Sequence, residues 1–430
     1  MKKILTTILS LLAAVLAFAQ VPAPARPQEN PVAIVNATIH IGNGDVIENG
    51  IITFVEGKIE AVAEATAIRV DLGDYEQVDA SGKHVYPGFI LASTNLGLEE
   101  VSAVRATNDD REVGAITPNV RSQIAYNTDS ELIPTFRYNG ILLAQIAPQG
   151  GYITGTSSIM KLDGWNWEDA TYVKDDAVHI NWPSKTYGAR WWLGETERRK
   201  NENYNEQVEE IVSTITAAKS YFTMSNQKKN LKLEAMKGVL EGTQSLFVYA
   251  DRAEELIASV STLKDLDIEK VVIVGGRDAY YVREMLVEYD VAVVLDNVHR
   301  MPSRPEEPVD FPFQMPGLLA EAGVTVALRH NGMLSRGRNL PFYAGTAAAY
   351  SAEKEEALQM ITLNPARILG IDDRAGSLEE GKDANILISE GDILDMKSSI
   401  ITDAYIMGMK LNLDGKQQKL YKRYKEKYAE

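Results

Sequence analysis

Two short polar side chains, Ser93 and Asn95, follow directly on the uninterrupted apolar run Phe89 to Ala92. Such a run reads as a strand covered on both faces, and turn chemistry at Pro87-Gly88 delivers the chain into it. If the extended backbone persists through Asn95, positions 93 and 95 share a face and project together from the strand's carboxyl end. The chemistry they offer is hydrogen bonding. A hydroxyl and a carboxamide carry no charge near neutral pH, ligate zinc poorly and do not act as general bases.

Ionisable alternatives are sparse. The chain has five histidines and no cysteine, so thiolate ligation and disulfides are excluded. His40 and His84 fall in or beside short alternating strands, where a lone histidine serves structure. His179, His299 and His330 remain, with Asp296 at the end of an expected seventh barrel strand, but their spacing matches no metal motif. The glycine-rich stretch Gln149 to Gly155 lacks the spacing and lysine of a phosphate loop, and reads as a tight turn.

The elements that must position these groups begin after a leader. Residues 1–19 combine Lys2 and Lys3, an apolar core from Ile4 to Leu16 and the small-x-small ending Ala17-Phe18-Ala19, the pattern of a secretory signal peptide cleaved after Ala19. The expected location is the periplasm or the exterior, with no membrane span after cleavage. Residues 20–31 hold Pro22, Pro24, Pro27 and Pro31 and are expected to be extended and poorly ordered. The formal net charge of −16 argues against nucleic acid or an anionic membrane face as main partner. At 45% hydrophobic residues, the chain can bury a large core.

From 32 to 86 the pattern is short alternating strands with hairpin signals such as Glu56-Gly57. From 87 to about 370, apolar strands alternate with amphipathic helices, the size and order of one (β/α)8 barrel. Within it, 95–127 is a long polar loop, either solvated or folded over the barrel mouth. Residues 163–193 hold all five tryptophans, expected as packing or as a ligand-lining insertion. Residues 196–227 read as a long amphipathic helix, and Ser351 as the cap of the helix from Ala352 to Ile361. Residues 371–415 return to strands, and 416–430 form a basic, solvated tail.

Pro87-Gly-Phe-Ile90, Thr362 to Gly370, Ala375 to Ile388 and Met407 to Leu411 together resemble the amidohydrolase superfamily, most closely its imidazolonepropionase-like branch. The resemblance covers nearly all of the chain beyond the leader. It implies that the two outer stretches complete one β-sandwich beside the barrel, and that the chemistry belongs to a divalent metal held at the barrel mouth. Position by position, the departures fall on that metal site. The family's aspartate on the first barrel strand falls on Leu91 and its two metal-binding histidines on Ser93 and Asn95. The fifth-strand histidine falls on Tyr249, and the sixth-strand histidine falls near Gly275-Gly276. The Gly-Thr-Asp of the eighth strand falls on Arg329-His330-Asn331, so the catalytic aspartate position is Asn331.

These departures imply a metal-free, secreted amidohydrolase-fold protein, with Ser93, Asn95, Tyr249, His330 and Asn331 as pocket residues, no cofactor and no assigned catalytic residue. It would serve as a non-catalytic binding or partner subunit, in a homo- or hetero-oligomer with an amidohydrolase relative or holding a small molecule. The alternative is a hydrolase of C–N bonds in cyclic amides, N-acyl amino acids or small peptides through an atypical site, with zinc if that holds.

Overall fold

The computed structural model describes residues 23–69, 71–225 and 228–428. The signal peptide expected at 1–19 lies outside the described residues. Strands β1 (Val32–His40), β2 (Val46–Val55), β3 (Lys58–Glu64), β4 (Glu76–Asp79) and β5 (His84–Pro87) come first. Alternation dictates their burial: Val32, Ile34, Ile52, Phe54 and Ile59 point into a core that also receives Ile386, Ile388 and Tyr405 from the far end of the chain.

Next come β6 (Phe89–Thr94), β7 (Ile141–Ile146), β8 (Ile153–Thr156), β9 (Ser158–Lys161), β10 (Thr171–Val173), β11 (Ala177–Asn181), β12 (Thr186–Tyr187) and β13 (Arg199–Lys200). Then β14 (Ser245–Ala250), β15 (Val271–Gly275), β16 (Ala292–Asp296) and β17 (Val326–Arg329) follow, with β18 (Ile386–Ser389), β19 (Ile401–Ile406) and β20 (Met409–Lys410) last. β18 lies antiparallel to β5 and to β19, which joins both terminal segments in one eight-stranded sheet. That sheet closes on itself: Ile59 N–H donates to the Lys382 carbonyl and Ala384 N–H to the Gly57 carbonyl, both at 2.8–2.9 Å.

The barrel runs β6-β7-β9 in one sheet and β8-β11-β14-β15-β16-β17 in another, joined because β8 and β9 are a single run of chain broken at Ser157. This third stave is antiparallel to both neighbours, β7 and β11, while β11 and β14 to β17 are parallel. The 149–155 stretch expected as a turn therefore enters a strand at Ile153. Gly155 has φ +139, and a Cβ there would sit 2.5 Å from the Val120 carbonyl oxygen, so only glycine lets the polar loop lie against the stave.

Period-2 alternation sends Ile90, Leu143, Phe247, Val274, Val294 and Ala327 into the barrel and Leu142, Ala144, Val248, Ile273 and Leu328 out against the helices. Helix Tyr204–Thr223 covers part of the wall with Ile211, Ile215 and Ala218, and Ala253–Asp265 does so with Leu256, Val260 and Leu263. The Glu255 carboxylate accepts from Arg252 N–H at the start of the latter. Ser351 does not cap the expected helix. It closes the preceding one, Leu340–Tyr350, its Oγ accepts from Gly317 N–H, and the next helix starts at Lys354.

The leader is not loose where it is described. Ala25 N–H donates to Asp163 at 2.9 Å, and Gln28 bridges the Phe54 carbonyl and Gly57 N–H, so proline-rich chain is held by backbone bonding to both barrel and sheet. Asp383, fully buried, takes Lys58 at 2.7 Å, Arg374 at 3.1 Å and the Tyr172 hydroxyl, tying the barrel's β10 to the sheet. No helix among the described residues is long and apolar enough to cross a bilayer.

Candidate functional site at the barrel mouth

β6 does not stay extended to Asn95. Ser93 has φ +51, and the pairing of β6 with β7 shifts between Leu91 and Thr94. The premise that Ser93 and Asn95 share a strand face by alternation therefore fails. Ile90 and Ala92 already point inward, and the left-handed residue turns Ser93 inward as well. Its N–H donates to Gln145 Oε1 at 3.0 Å, and Gln145 Nε2 donates to the Asp176 carboxylate at 2.6 Å. That scaffold fixes the turn.

Inside the mouth, Ser93 Oγ and the Tyr249 hydroxyl are 2.7 Å apart. Tyr249 also lies 3.1 Å from His179 Nδ1, and burial pushes its pKa up. Arg329 Nη1 donates to both the carbonyl (2.6 Å) and the hydroxyl (2.7 Å) of Ser93, while Nε and Nη2 face the two oxygens of Asp296. The guanidinium carbon stands 5.4 Å from the Tyr249 ring centroid. Burial opposes the Arg329 charge; Asp296 and Tyr249 overcome it, and its pKa rises.

The other sequence-derived candidates sit higher in the mouth. Asn95 donates to Glu99 at 2.6 Å, His330 Nδ1 lies 3.0 Å from the Tyr343 hydroxyl, and Asn331 is exposed, its N–H donating to Asn297 at 2.8 Å. Ser93, Asn95, His330 and Asn331 line one cavity of about 160 Å³ with Glu99, Asp110, Arg111, Gln149 and Arg329. Tyr249 does not line it, but touches two residues that do, Ser93 and Arg329. His299 is elsewhere, bonded to Thr346.

Sequence reasoning missed Arg329 and Gln145. The signal for Arg329 was its place two residues after the inward-facing Ala327, which sends a cation into the barrel.

The chain matches the model of the amidohydrolase family over residues 313–415. It is 40% identical over 74 residues to the imidazolonepropionase of Thermoplasma volcanium, a match spanning 17% of this chain and 18% of that protein. Its structure superimposes on an amidohydrolase from Thermotoga maritima MSB8 with a TM-score of 0.76 and 25% identity, over 89% of this chain and 99% of that one. Its fold is that of the amidohydrolase superfamily. A putative prolidase from Bifidobacterium longum shares the fold at a TM-score of 0.55 and 15% identity, over 94% and 100% of the two chains.

This amidohydrolase-superfamily mouth does not fit a divalent metal. Two family ligand positions, Ser93 and Tyr249, are bonded to each other, and a buried guanidinium occupies the hydroxyl. A neutral hydroxyl, a phenol and amides offer no ionised donor. Near the sixth-strand position, Gly275 and Gly276 have φ +103 and +63, and a Cβ on Gly275 would meet the Asp251 carboxylate at 2.8 Å. An imidazole at either position would have to take a positive-φ backbone that side chains rarely adopt. Among the described residues no three His, Cys, Asp or Glu side chains gather as a metal set.

Proposed function

We propose that this protein is a secreted, non-catalytic member of the amidohydrolase superfamily, a binding or partner subunit that uses its barrel mouth without a metal. The observation that carries the reading is the Arg329 guanidinium, held by Asp296 and bonded to Ser93 at a position where the resemblance calls for a metal ligand. A fixed internal cation supplies the positive charge that a metal would, but it has no exchangeable water to activate. The polar cavity above it suits a small, hydrogen-bonding molecule without negative charge, since Arg329 is paired with Asp296 and Arg111 with Asp110, while Glu99 accepts from the neutral Asn95 amide.

The test is elemental analysis of the purified protein alongside assays on N-acyl amino acids, cyclic amides and dipeptides. Sub-stoichiometric zinc, manganese and iron with no hydrolysis is expected. Stoichiometric metal with chelator-sensitive hydrolysis overturns the reading and establishes the C–N hydrolase instead. Export is tested by the N-terminus of protein recovered outside the cytoplasm, expected at Gln20.

A further inference from the structure

The tryptophans near the end of the Trp-rich segment are neither packing nor pocket. Trp191, Trp192 and Leu193 make one turn at the tip of the β12–β13 arm and are 79%, 65% and 62% exposed. The arm is built rather than loose. Thr186 pairs with Lys200 and Tyr187 with Arg199. At the base of the tip, Arg190 donates from its backbone (2.9 Å) and its guanidinium to Glu195, and Arg198 donates to the Thr186 hydroxyl (2.8 Å) and carbonyl (2.9 Å). Gly194 closes the turn in the left-handed region at φ +76. The two indoles stand edge to face, 6.0 Å apart.

We propose that this arm is a dimerisation element that docks its Trp191-Trp192-Leu193 tip on a second copy of the same chain. Three features select that occupant. The first is composition: Trp, Tyr and Arg dominate 187–199, the types enriched in protein–protein interfaces and in their energetic centres. The second is charge. Residues 185–200 carry five basic side chains against two acidic ones, on a chain whose formal net charge is −16, so the arm of one copy is attracted by the body of another.

The third feature is area. The exposed tip with Tyr187 offers on the order of 500 Å² of side-chain surface. That falls short of the roughly 800 Å² per partner of a stable interface. In a two-fold dimer each copy contributes both its own arm and the surface receiving the other, which doubles the burial per copy and clears that size. Because the arm and the barrel-mouth cavity share no residue, failure of one reading leaves the other standing.

Sedimentation velocity on the full chain is the test, with the Trp191→Ala/Trp192→Ala variant beside it. The expected result is a reversible dimer at micromolar concentration that the double substitution weakens by roughly 100-fold or more, with unchanged circular dichroism and melting. If that variant folds poorly, dilution of the unmodified protein through its dissociation range replaces it: the tryptophan emission should move to longer wavelength as the tips become wet. A monomer throughout the micromolar range overturns the proposal, as does a dimer indifferent to the substitutions. So does arm-dependent binding to phosphatidylglycerol vesicles by a monomeric protein.

Discussion

Arg329 Nη1 donates to both the carbonyl and the hydroxyl of Ser93, 236 positions earlier in the chain. β6 and β17, which carry these residues, lie side by side without a backbone ladder between them, and lower down Ile90 and Leu328 instead donate to the Ile361 and Met360 carbonyls. A side chain therefore closes the barrel seam at its mouth, and Asp296 on the neighbouring strand holds that side chain in place.

Removing the cation should leave Asp296 as an uncompensated, mostly buried charge. Arg329→Met is expected to destabilise the fold by about 3–5 kcal/mol, whereas Arg329→Met with Asp296→Leu should recover much of that loss. Denaturant unfolding of the two single variants and the double variant measures the coupling.

Family ligands put back alone should not bind metal. With Ser93→His, Asn95→His and Asn331→Asp, the Arg329 guanidinium still occupies the inner mouth and repels a divalent ion, and position 93 still requires φ +51. Calorimetric titration with zinc is expected to give no measurable heat of site binding for the triple variant. Adding Arg329→Gly should produce at least weak binding, and tight zinc binding by the triple variant alone would mean the guanidinium is no obstacle.

Burial holds the His179 imidazole neutral, with its pKa lowered to about 3. Unfolded histidine titrates near 6.5, so the folded state binds fewer protons in between; this stability is full above about 6.5 and is lost as pH falls toward 3. His179→Phe keeps the contact with Phe247, 5.1 Å away between ring centroids, and removes the titration. The variant should lose less stability than the parent between neutrality and pH 4, read from unfolding midpoints across that range.

Asp176 has the opposite sign. Burial raises its pKa to about 6 against the bonds from Gln145 and Ser157, so the folded state holds a proton that the unfolded chain releases near 3.8. Its contribution is greatest below about pH 4 and declines as pH rises through 6, by roughly 2 kcal/mol once its partial exposure is allowed for. Asp176→Asn, whose oxygen can accept from Gln145 and whose amide can donate to Ser157, should abolish that decline. Unfolding of parent and variant at pH 4.5 and pH 7.5 decides it.

Asp383→Asn should weaken the junction of barrel and sheet by about 2 kcal/mol, less than a fully buried pair because Lys58 and Arg374 are partly solvated. Differential scanning calorimetry is expected to show a lower melting temperature.

Much of the fold was legible because its signals are local. A long amphipathic helix does form within 196–227, at Tyr204–Thr223, and Glu56-Gly57 is the turn between β2 and β3. The departures lie where tertiary contacts outweigh local preference. Ser351 had the chemistry of a helix start, but a neighbouring backbone N–H claimed its hydroxyl. The proline-rich leader carried no helix or strand pattern, and its order comes from Asp163 and Gly57, far along the chain. At the mouth, the sequence marked which ligand types were gone, but not what had taken their place. Arg329 reads as an ordinary strand-end residue until the closed barrel brings it to Ser93.

The pairing of β5 with β18 sets Pro87 opposite Ile386, with the entire barrel between them in sequence. As the chain folds, therefore, one edge of β5 stays open until β18, close to the far end of the sequence, joins it. Contacts so distant in sequence form slowly, and an unfilled, apolar edge can be taken by a strand of another molecule. Until residue 386 reaches residue 87, that edge is where this chain is most open to misassembly.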